Sequence, residues 1–169
     1  MGSRVKKTMG VVLAVTVAGL IPMGLANAAE GEAAIKGRID FMDVEVYGQF
    51  KVLAAYAKDG KGSLADVEKS AKALVNLAKK MPTHFPKDSG RGHFPDTMTR
   101  ALPLIWTDWA RFEKEVQRLA EGSERLARLA SAGDRDAVVE LIGPAGSYAR
   151  TKIGCAECHD TFRGPRAKK

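Results

Sequence analysis

Cysteine, histidine and aromatic residues are scarce in this chain of 169 residues. It has two cysteines and three histidines, and aromatic side chains make up 7% of it. Two cysteines are too few for a disulfide-stapled miniprotein, which needs a much denser cysteine content. The length excludes a multidomain enzyme, because one globular domain commonly takes about 100–200 residues. A hydrophobic content of 45% disfavours a disordered chain.

Residues 1–28 lack acidic side chains and have the pattern of a secretory signal peptide. Basic residues at positions 4, 6 and 7 precede residues 8–29, which carry no charge, and Pro22 comes shortly before the small-x-small cleavage site Ala26-Asn27-Ala28. An uncleaved membrane anchor is the alternative, since the uncharged run is nearly long enough to span a bilayer. We predict cleavage after Ala28, a periplasmic location, and one domain over residues 29–169 with no further membrane span.

Apolar residues recur every three or four positions in four stretches of this domain, which is typical of amphipathic helices. The first apolar stripe consists of Ile35, Ile39, Met42, Val46, Phe50, Leu53 and Ala57. A second helix is predicted from Ser63, a suitable N-cap, to Pro82, which stops it. The third begins near Leu104 and closes at Gly133, and the fourth covers about 134–163 with a kink at Gly143-Pro144.

Four such helices, joined by two short loops and one long connection over residues 82–103, predict an all-α fold. The expected architecture is an antiparallel up-down-up-down four-helix bundle. Alternating direction brings the start of the first helix, the 82–103 connection and the end of the fourth helix to the same end of the bundle. A connection of this length in a compact domain usually has a role, such as covering a site.

Both cysteines lie in Cys155-Ala156-Glu157-Cys158-His159, the C-x-x-C-H signature of covalent haem attachment. On a helix, two thiols three residues apart project from nearly the same face and can form thioethers with the two vinyl groups of one porphyrin. His159 then lies close enough to ligate the iron as the proximal ligand. We therefore predict one covalent haem c. One alternative is a redox dithiol of the thioredoxin type, which requires a βαβ context that the sequence does not predict. The other is a zinc site, which needs four ligands and for which only the distant His84 and His93 are available as further ligands.

A C-terminal C-x-x-C-H on the last helix of an exported four-helix bundle resembles the class II c-type cytochromes, the cytochrome c-prime family. Residues 155–163 are similar to the haem segment of that family. Two other segments resemble the family more weakly. They are residues 34–38, with the sequence Ala-Ile-Lys-Gly-Arg, and the pair Ile105-Trp106 followed by Phe112. The resemblance covers essentially the whole mature chain. It implies the bundle fold with a haem near one end, and it makes a homodimer through helices one and two an expected assembly.

The resemblance also implies two alternatives for the distal face of the iron. One branch of the family leaves this face open under a bulky apolar residue and binds small gases such as nitric oxide. The other places a methionine there, which gives six-coordinate low-spin iron suited to electron transfer. The deciding position lies four residues after the family arginine, and here Met42 follows Arg38 at that distance. We therefore expect a monohaem one-electron carrier with His159 and Met42 as iron ligands; the alternative is a five-coordinate protein that binds nitric oxide or carbon monoxide.

Met42 also has a plainer interpretation, because methionines on apolar stripes often fill cores. The second helix and the long connection offer four other candidates for the distal ligand: Met81, His84, His93 and Met98. The resemblance implies that Arg38 lies near the haem propionates, which a guanidinium can bind by bidentate bonds, and that Arg163 lies near the proximal histidine. We expect Trp106 and Phe162 to pack near the porphyrin.

The sequence contains no constellation of a nucleophile with a base, and no pair of groups for acid–base catalysis, so we do not interpret the chain as an enzyme. Its formal net charge of +7 favours electrostatic steering towards acidic patches on redox partner proteins. Nucleic acid is not an expected partner, because three of the basic residues belong to the predicted signal peptide and no pattern of interleaved aromatic and basic residues follows.

Overall fold

The computed structural model describes residues 23–143, 146–147 and 151–167. Within these ranges the regular structure is helical, with two isolated β-bridges and no strand. The elements are α1 (Met23–Asp40), a π-helical segment (Phe41–Val46), α2 (Tyr47–Asp59), α3 (Leu64–Lys80), a 3-10 turn (Met81–His84), α4 (Leu104–Thr107), α5 (Trp109–Ser131), α6 (Arg135–Ile142) and α7 (Cys155–Phe162). None of the described helices is both long and apolar enough to span a bilayer. Residues 1–22 lie outside the described part, and the signal peptide stays a prediction.

These helices form the four-helix bundle that the sequence predicts. We call the four sides of the bundle rods. The first rod consists of α1, the π-helical segment and α2, and the second is α3. The third consists of α4 and α5, and the fourth side is shared by α6 and α7. α3 packs along α5, α2 lies against α3 and α6, and both α6 and α7 pack on α5. The side chains of the core come from all four sides and include Phe50, Leu53, Leu74, Phe112, Leu126 and Ile142. Each such side chain contributes about 1.5–3 kcal/mol when it is fully buried.

Short polar side chains set where two of the helices begin. Ser63 Oγ accepts a hydrogen bond from the Asp66 backbone N–H, and the Asp66 carboxylate accepts one from Ser63 N–H at 2.9 Å, so that α3 starts with a full capping box. The third rod, which the sequence predicts as one helix from Leu104, is divided at Asp108. That residue leaves helical geometry at φ −133°, and its side chain caps α5 by accepting from Arg111 N–H.

The register of the first rod differs from the predicted apolar stripe around the π-helical segment. Ile39, predicted to face the core, is 44% exposed, whereas Phe41 is only 2% exposed. A π turn takes about one residue more than an α turn, so the buried face passes from Phe41 to Val46 in a step of five residues. A stripe read at the α-helical period cannot follow that step. The prediction for Ile39 was therefore wrong.

The fourth helix is not continuous over 134–163, and the predicted kink is in fact an interruption. α6 ends at Gly143, which has φ +91°, and α7 starts only after Gly154 at φ +99°. Left-handed backbone at both glycines cannot continue a right-handed helix, which explains the two helix ends. Pro144 and residues 145 and 148–150 lie outside the described part. The interruption leaves α7 as a separate helix of eight residues that carries the C-x-x-C-H motif.

Candidate functional site

The connection that follows the 3-10 turn covers one end of the bundle, where the start of the first rod and the end of α7 also lie. Phe94 of this connection packs against the bare backbone of Gly31 in α1. Leu102 N–H donates to the Phe162 carbonyl at 3.0 Å, and Ala101 forms an antiparallel bridge with Arg163. The prediction that these three segments meet at one end of the bundle is therefore confirmed.

α7 brings Cys155, Cys158 and His159 together within its first five residues. All three side chains are half-buried, and both cysteines pack against the hydrophobic core. Because the cysteines are three residues apart on a helix, their sulfur atoms lie on nearly the same face. Phe162, at the end of α7, is buried edge-on against Phe112 of α5 with ring centroids 5.6 Å apart.

Burial determines the protonation of these three groups. It raises the pKa of both the Cys155 thiol and the Cys158 thiol to about 12, so both sulfurs are uncharged at neutral pH. Burial also lowers the pKa of His159 to about 4, and the positive charges of Arg163 and Arg100 act in the same direction. The His159 imidazole is therefore neutral at pH 7, which is the form that ligates a metal ion.

Gly154 sets the start of α7 against α5. A Cβ atom at this position would lie 2.9 Å from the Leu119 backbone nitrogen, and the φ of +99° is itself unfavourable for any other residue. We expect Gly154→Ala to lower the free energy of unfolding by about 2–4 kcal/mol, since backbone strain of about 1–3 kcal/mol adds to the steric overlap. Urea unfolding followed by circular dichroism measures the loss.

Gly133→Ala is the matched control for this prediction. Gly133 also has a positive φ, of +79°, but a Cβ atom there would have no neighbour within 4 Å. We expect a smaller loss of about 1 kcal/mol from backbone strain alone. Equal losses in the two variants would contradict a role for the contact between Gly154 and α5.

Arg38 is 5% exposed and makes three hydrogen bonds to the long connection. Its Nη1 donates to Ser89 Oγ at 2.9 Å, while Nη2 donates to the Ser89 carbonyl at 2.7 Å and to Thr99 Oγ1 at 2.8 Å. The guanidinium also lies 5.0 Å from the centroid of the Phe85 ring. Burial lowers the pKa of Arg38 to about 10, which still leaves it charged at neutral pH. These three hydrogen-bond acceptors are all neutral, so none of them balances the positive charge of the buried Arg38.

Trp106 and Arg163 lie where the long connection meets α5 and α7. Trp106 is half-buried, packs against the backbone of Gly90, and donates from its indole nitrogen to the Phe85 carbonyl at 3.0 Å. Arg163 follows α7 directly, and its backbone N–H donates to the His159 carbonyl at 3.2 Å. Its positive charge also opposes the rise in the pKa of Cys158. Arg163 therefore lies next to His159, and its role beside a proximal ligand stays a prediction.

The residues considered for the distal side do not share one environment. Met42 lies in the π-helical segment and is only partly buried, whereas the preceding Phe41 is fully buried and stacks on the His84 ring at 3.9 Å. Met81 is 3% exposed in the core, and Met98 is half-buried in the connection. His93 is exposed, with Nε2 3.1 Å from Asp88 Oδ1. His84 contacts the segment that contains Met42 through its stack on Phe41.

Four polar residues near the site were missed by the sequence analysis: Ser89, Thr99, Arg100 and Glu115. Ser89 and Thr99 hold Arg38, and Arg100 donates to the chain that follows α7. Glu115 on α5 is 6% exposed, and its negative charge raises the pKa of Cys158. Its Oε1 lies 2.9 Å from Arg118 Nη1, with which it forms an ion pair. The only sequence signal for Glu115 is its position beside Val116, on the buried face of an amphipathic helix.

The side chains at this end of the bundle fit a covalently held haem. Two uncharged sulfur atoms lie one helical turn apart, and a neutral imidazole follows the second. Aromatic rings of Phe85, Phe112 and Phe162 supply apolar surface for a porphyrin. The buried Arg38, with neutral partners, supplies the charge that a propionate carboxylate needs.

Comparisons with known proteins agree with this chemistry. The family model described as Cytochrome C' matches residues 33–163. A cytochrome c' from Rhodopseudomonas palustris is 31% identical over 153 residues, which cover 90% of this chain and 96% of the relative. The structure of a cytochrome c' from Rhodobacter Spheriodes has a TM-score of 0.64 at 26% identity and covers 80% of this chain and 98% of its own. A nitric oxide complex of a mutant cytochrome c prime from Alcaligenes xylosoxidans has the same fold, with a TM-score of 0.60 at 24% identity over 80% of this chain and 96% of its own.

These matches support the family but not its methionine-ligated branch. The matched family is described as cytochrome c', whose members are typically high-spin proteins with histidine as the iron ligand. The low-spin electron carrier expected from Met42 is therefore not supported.

Proposed function

Because the chain belongs to the cytochrome c' family, we propose that it is a monohaem cytochrome that binds a diatomic gas such as nitric oxide on an open distal face. Membership of the family gives the chain one covalently bound haem c. The haem, when bound, supplies an iron that changes between ferrous and ferric states and can bind a small gas. The protein's own residues decide how the haem is held and which of its faces is accessible.

Each residue of the site has a separate part in this proposal. Cys155 and Cys158 hold the porphyrin through two thioethers, and His159 ligates the iron from the proximal side. Arg38 binds a propionate with the N–H groups that Ser89 and Thr99 leave available. Each guanidinium has five N–H donors, and three of those of Arg38 are engaged by the connection, so two remain for a carboxylate.

The observation that carries the open distal face is the register of the π-helical segment. Phe41 is the fully buried residue of this turn, while Met42 is only partly buried. The Phe41 side chain contains only carbon and hydrogen, so it cannot ligate iron. Stacking on His84 at 3.9 Å fixes the Phe41 ring in place. The relative whose solved structure contains nitric oxide makes this gas the first one to test.

A second candidate function is the one-electron carrier with His159 and Met42 as iron ligands. Met42 lies four residues after the buried Arg38, which is the position that the resemblance assigns to a ligating methionine. Its thioether packs against the hydrophobic core rather than pointing wholly into solvent. A thioether ligand would favour the ferrous state and raise the reduction potential.

Absorption spectra of the purified haem protein, before and after carbon monoxide or nitric oxide is added to the ferrous form, test the two functions. We expect a high-spin spectrum that changes at once with either gas. The matched variant Met42→Leu removes the sulfur at nearly constant volume, and we expect it to change carbon monoxide affinity by less than about tenfold.

The opposite pattern would establish the electron carrier and overturn the proposal. In that case the wild-type spectrum is low-spin and insensitive to carbon monoxide, and only Met42→Leu binds the gas. Phe41→Leu serves as a control, because it alters the apolar neighbour without touching the sulfur of Met42.

The location and the assembly of the protein are part of the same proposal. The predicted signal peptide supports a periplasmic protein whose electrons come from redox partner proteins. Large apolar residues on the outer face of the first rod support a homodimer: Val44 is 69% exposed, Tyr47 47% and Val52 37%. Scattered exposed apolar residues are common, but here three lie within nine residues of the first rod, and Val44 and Tyr47 are about one turn apart.

A further inference from the structure

The segment from Thr99 to Leu102 contacts both sides of the haem site. Thr99 Oγ1 accepts from Arg38, four residues before Met42, and Leu102 N–H donates to the Phe162 carbonyl, three residues after His159. This segment therefore joins the first rod to the end of α7.

Arg100 lies at the centre of that segment and is held at two points against the chain beyond α7. Its side-chain Nε donates to the Gly164 carbonyl at 2.8 Å, and its own carbonyl accepts from Gly164 N–H at 2.8 Å. The neighbouring Arg91 adds bonds from its side chain to the carbonyls of Thr99 and Pro165. Such paired contacts fix the guanidinium of Arg100, which is only half-exposed, at the C-terminal end of α7.

The charges near His159 are unequal in sign and in exposure. Two cations lie beside the chain that follows His159: Arg100 bonds to Gly164, and Arg163 donates its backbone N–H to the His159 carbonyl. Asp160, next to His159 in the sequence, is an anion. Asp160 is exposed, so water screens it more strongly than the half-buried arginines. Glu115, the buried carboxylate on α5, is already paired with Arg118. Two half-buried cations and one exposed anion among these residues therefore flank the proximal side.

We propose that Arg100 is a positioning residue on the proximal side of the haem, where it holds the chain behind His159 and raises the reduction potential of the iron. The proposal rests on the proposed ligation of the iron by His159. Reduction transfers one electron from an external donor to ferric iron and makes no new bond. Oxidised iron carries one more positive charge, so a fixed cation nearby disfavours the ferric state.

A potentiometric titration of the haem-loaded protein with redox mediators at constant pH tests this inference. We expect Arg100→Gln to lower the equilibrium constant for reduction by about three- to tenfold, because it removes one half-exposed charge that solvent screens in part. Arg100→Lys keeps the charge and should restore most of the lost potential. Arg128→Gln is the control, because Arg128 is exposed in the last turn of α5, away from the haem end, and should change the constant by less than about 1.5-fold.

An unchanged potential in Arg100→Gln would overturn the proposal, and so would a lysine variant that behaves like the glutamine variant. If Arg100→Gln does not take up haem, Arg100→Met, which keeps the apolar stem of the side chain, is measured in its place and judged by the same limits. Gas binding separates this result from the proposed function. A shifted potential in a protein that binds no carbon monoxide overturns only the open distal face, while normal gas binding with an unchanged potential overturns only the role of Arg100.

Discussion

Replacing both Cys155 and Cys158 with alanine is expected to abolish covalent retention of haem. No other cysteine exists in the chain, so no second sulfur can form a thioether. Extraction with acidified organic solvent should leave haem on the wild-type protein and remove all of it from the double variant. Haem staining after denaturing electrophoresis gives the same comparison as a band that is present or absent.

The single variants are the controls for this experiment. Cys155→Ala and Cys158→Ala each keep one sulfur on α7, so each should retain haem through one thioether. Haem added to the double variant should still bind without a covalent bond, because His159 and the buried arginine remain. A double variant that keeps its haem through denaturation would contradict the assignment of both cysteines.

The haem attachment site could be predicted because its chemistry lies in five consecutive residues. The spacing of Cys155, Cys158 and His159 fixes their relative positions on any helix, whatever surrounds them. The structure adds the burial that keeps both thiols and the imidazole uncharged. That burial depends on how α7 packs against α5, which no local pattern contains.

The contacts of Arg38 could not be predicted, because they depend on the path of the long connection. Ser89 is 51 residues away and Thr99 is 61 residues away along the sequence. Prolines and glycines make this connection irregular, and without a repeating period no rule indicates which of its hydroxyl groups turns inward. The resemblance located Arg38 at the haem end of the bundle, and the structure shows which neutral groups hold it there.

The distal side shows how a small change of register alters a functional interpretation. The apolar stripe from Ile35 to Phe50 fits a regular α-helix well enough that Ile39 and Met42 were both expected to face inward. One π turn buries Phe41 and leaves Ile39 exposed. The energetic difference between the two registers depends on tertiary packing, including the stacking of Phe41 on His84, and is therefore not visible in the periodicity of the sequence.

Replacing Arg38 with methionine is expected to lower the free energy of unfolding by about 2–4 kcal/mol. The variant keeps an apolar stem but loses three hydrogen bonds from a charged donor, each of which contributes about 1.5–3 kcal/mol. The gain from no longer burying a charge offsets part of that sum. Urea unfolding of the haem-loaded protein, followed by circular dichroism, measures the difference.

The loss of free energy of unfolding should come mainly from the acceptor that has no other hydrogen-bond donor once Arg38 is replaced. Ser89 Oγ still donates to the Pro86 carbonyl at 2.8 Å, and Thr99 Oγ1 still accepts from Ala101 N–H at 3.2 Å, so the buried Ser89 carbonyl is the group left without its donor. Ser89→Ala removes two bonds, the one that Ser89 Oγ accepts from Arg38 and the one that it donates to the Pro86 carbonyl, and should cost about 1–3 kcal/mol. In the double variant the two losses should not add, because both act on the same cluster. Additive losses, or an Arg38→Met variant as stable as an Arg128→Met control on the exposed face of α5, would show that Arg38 does not anchor the connection to the first rod.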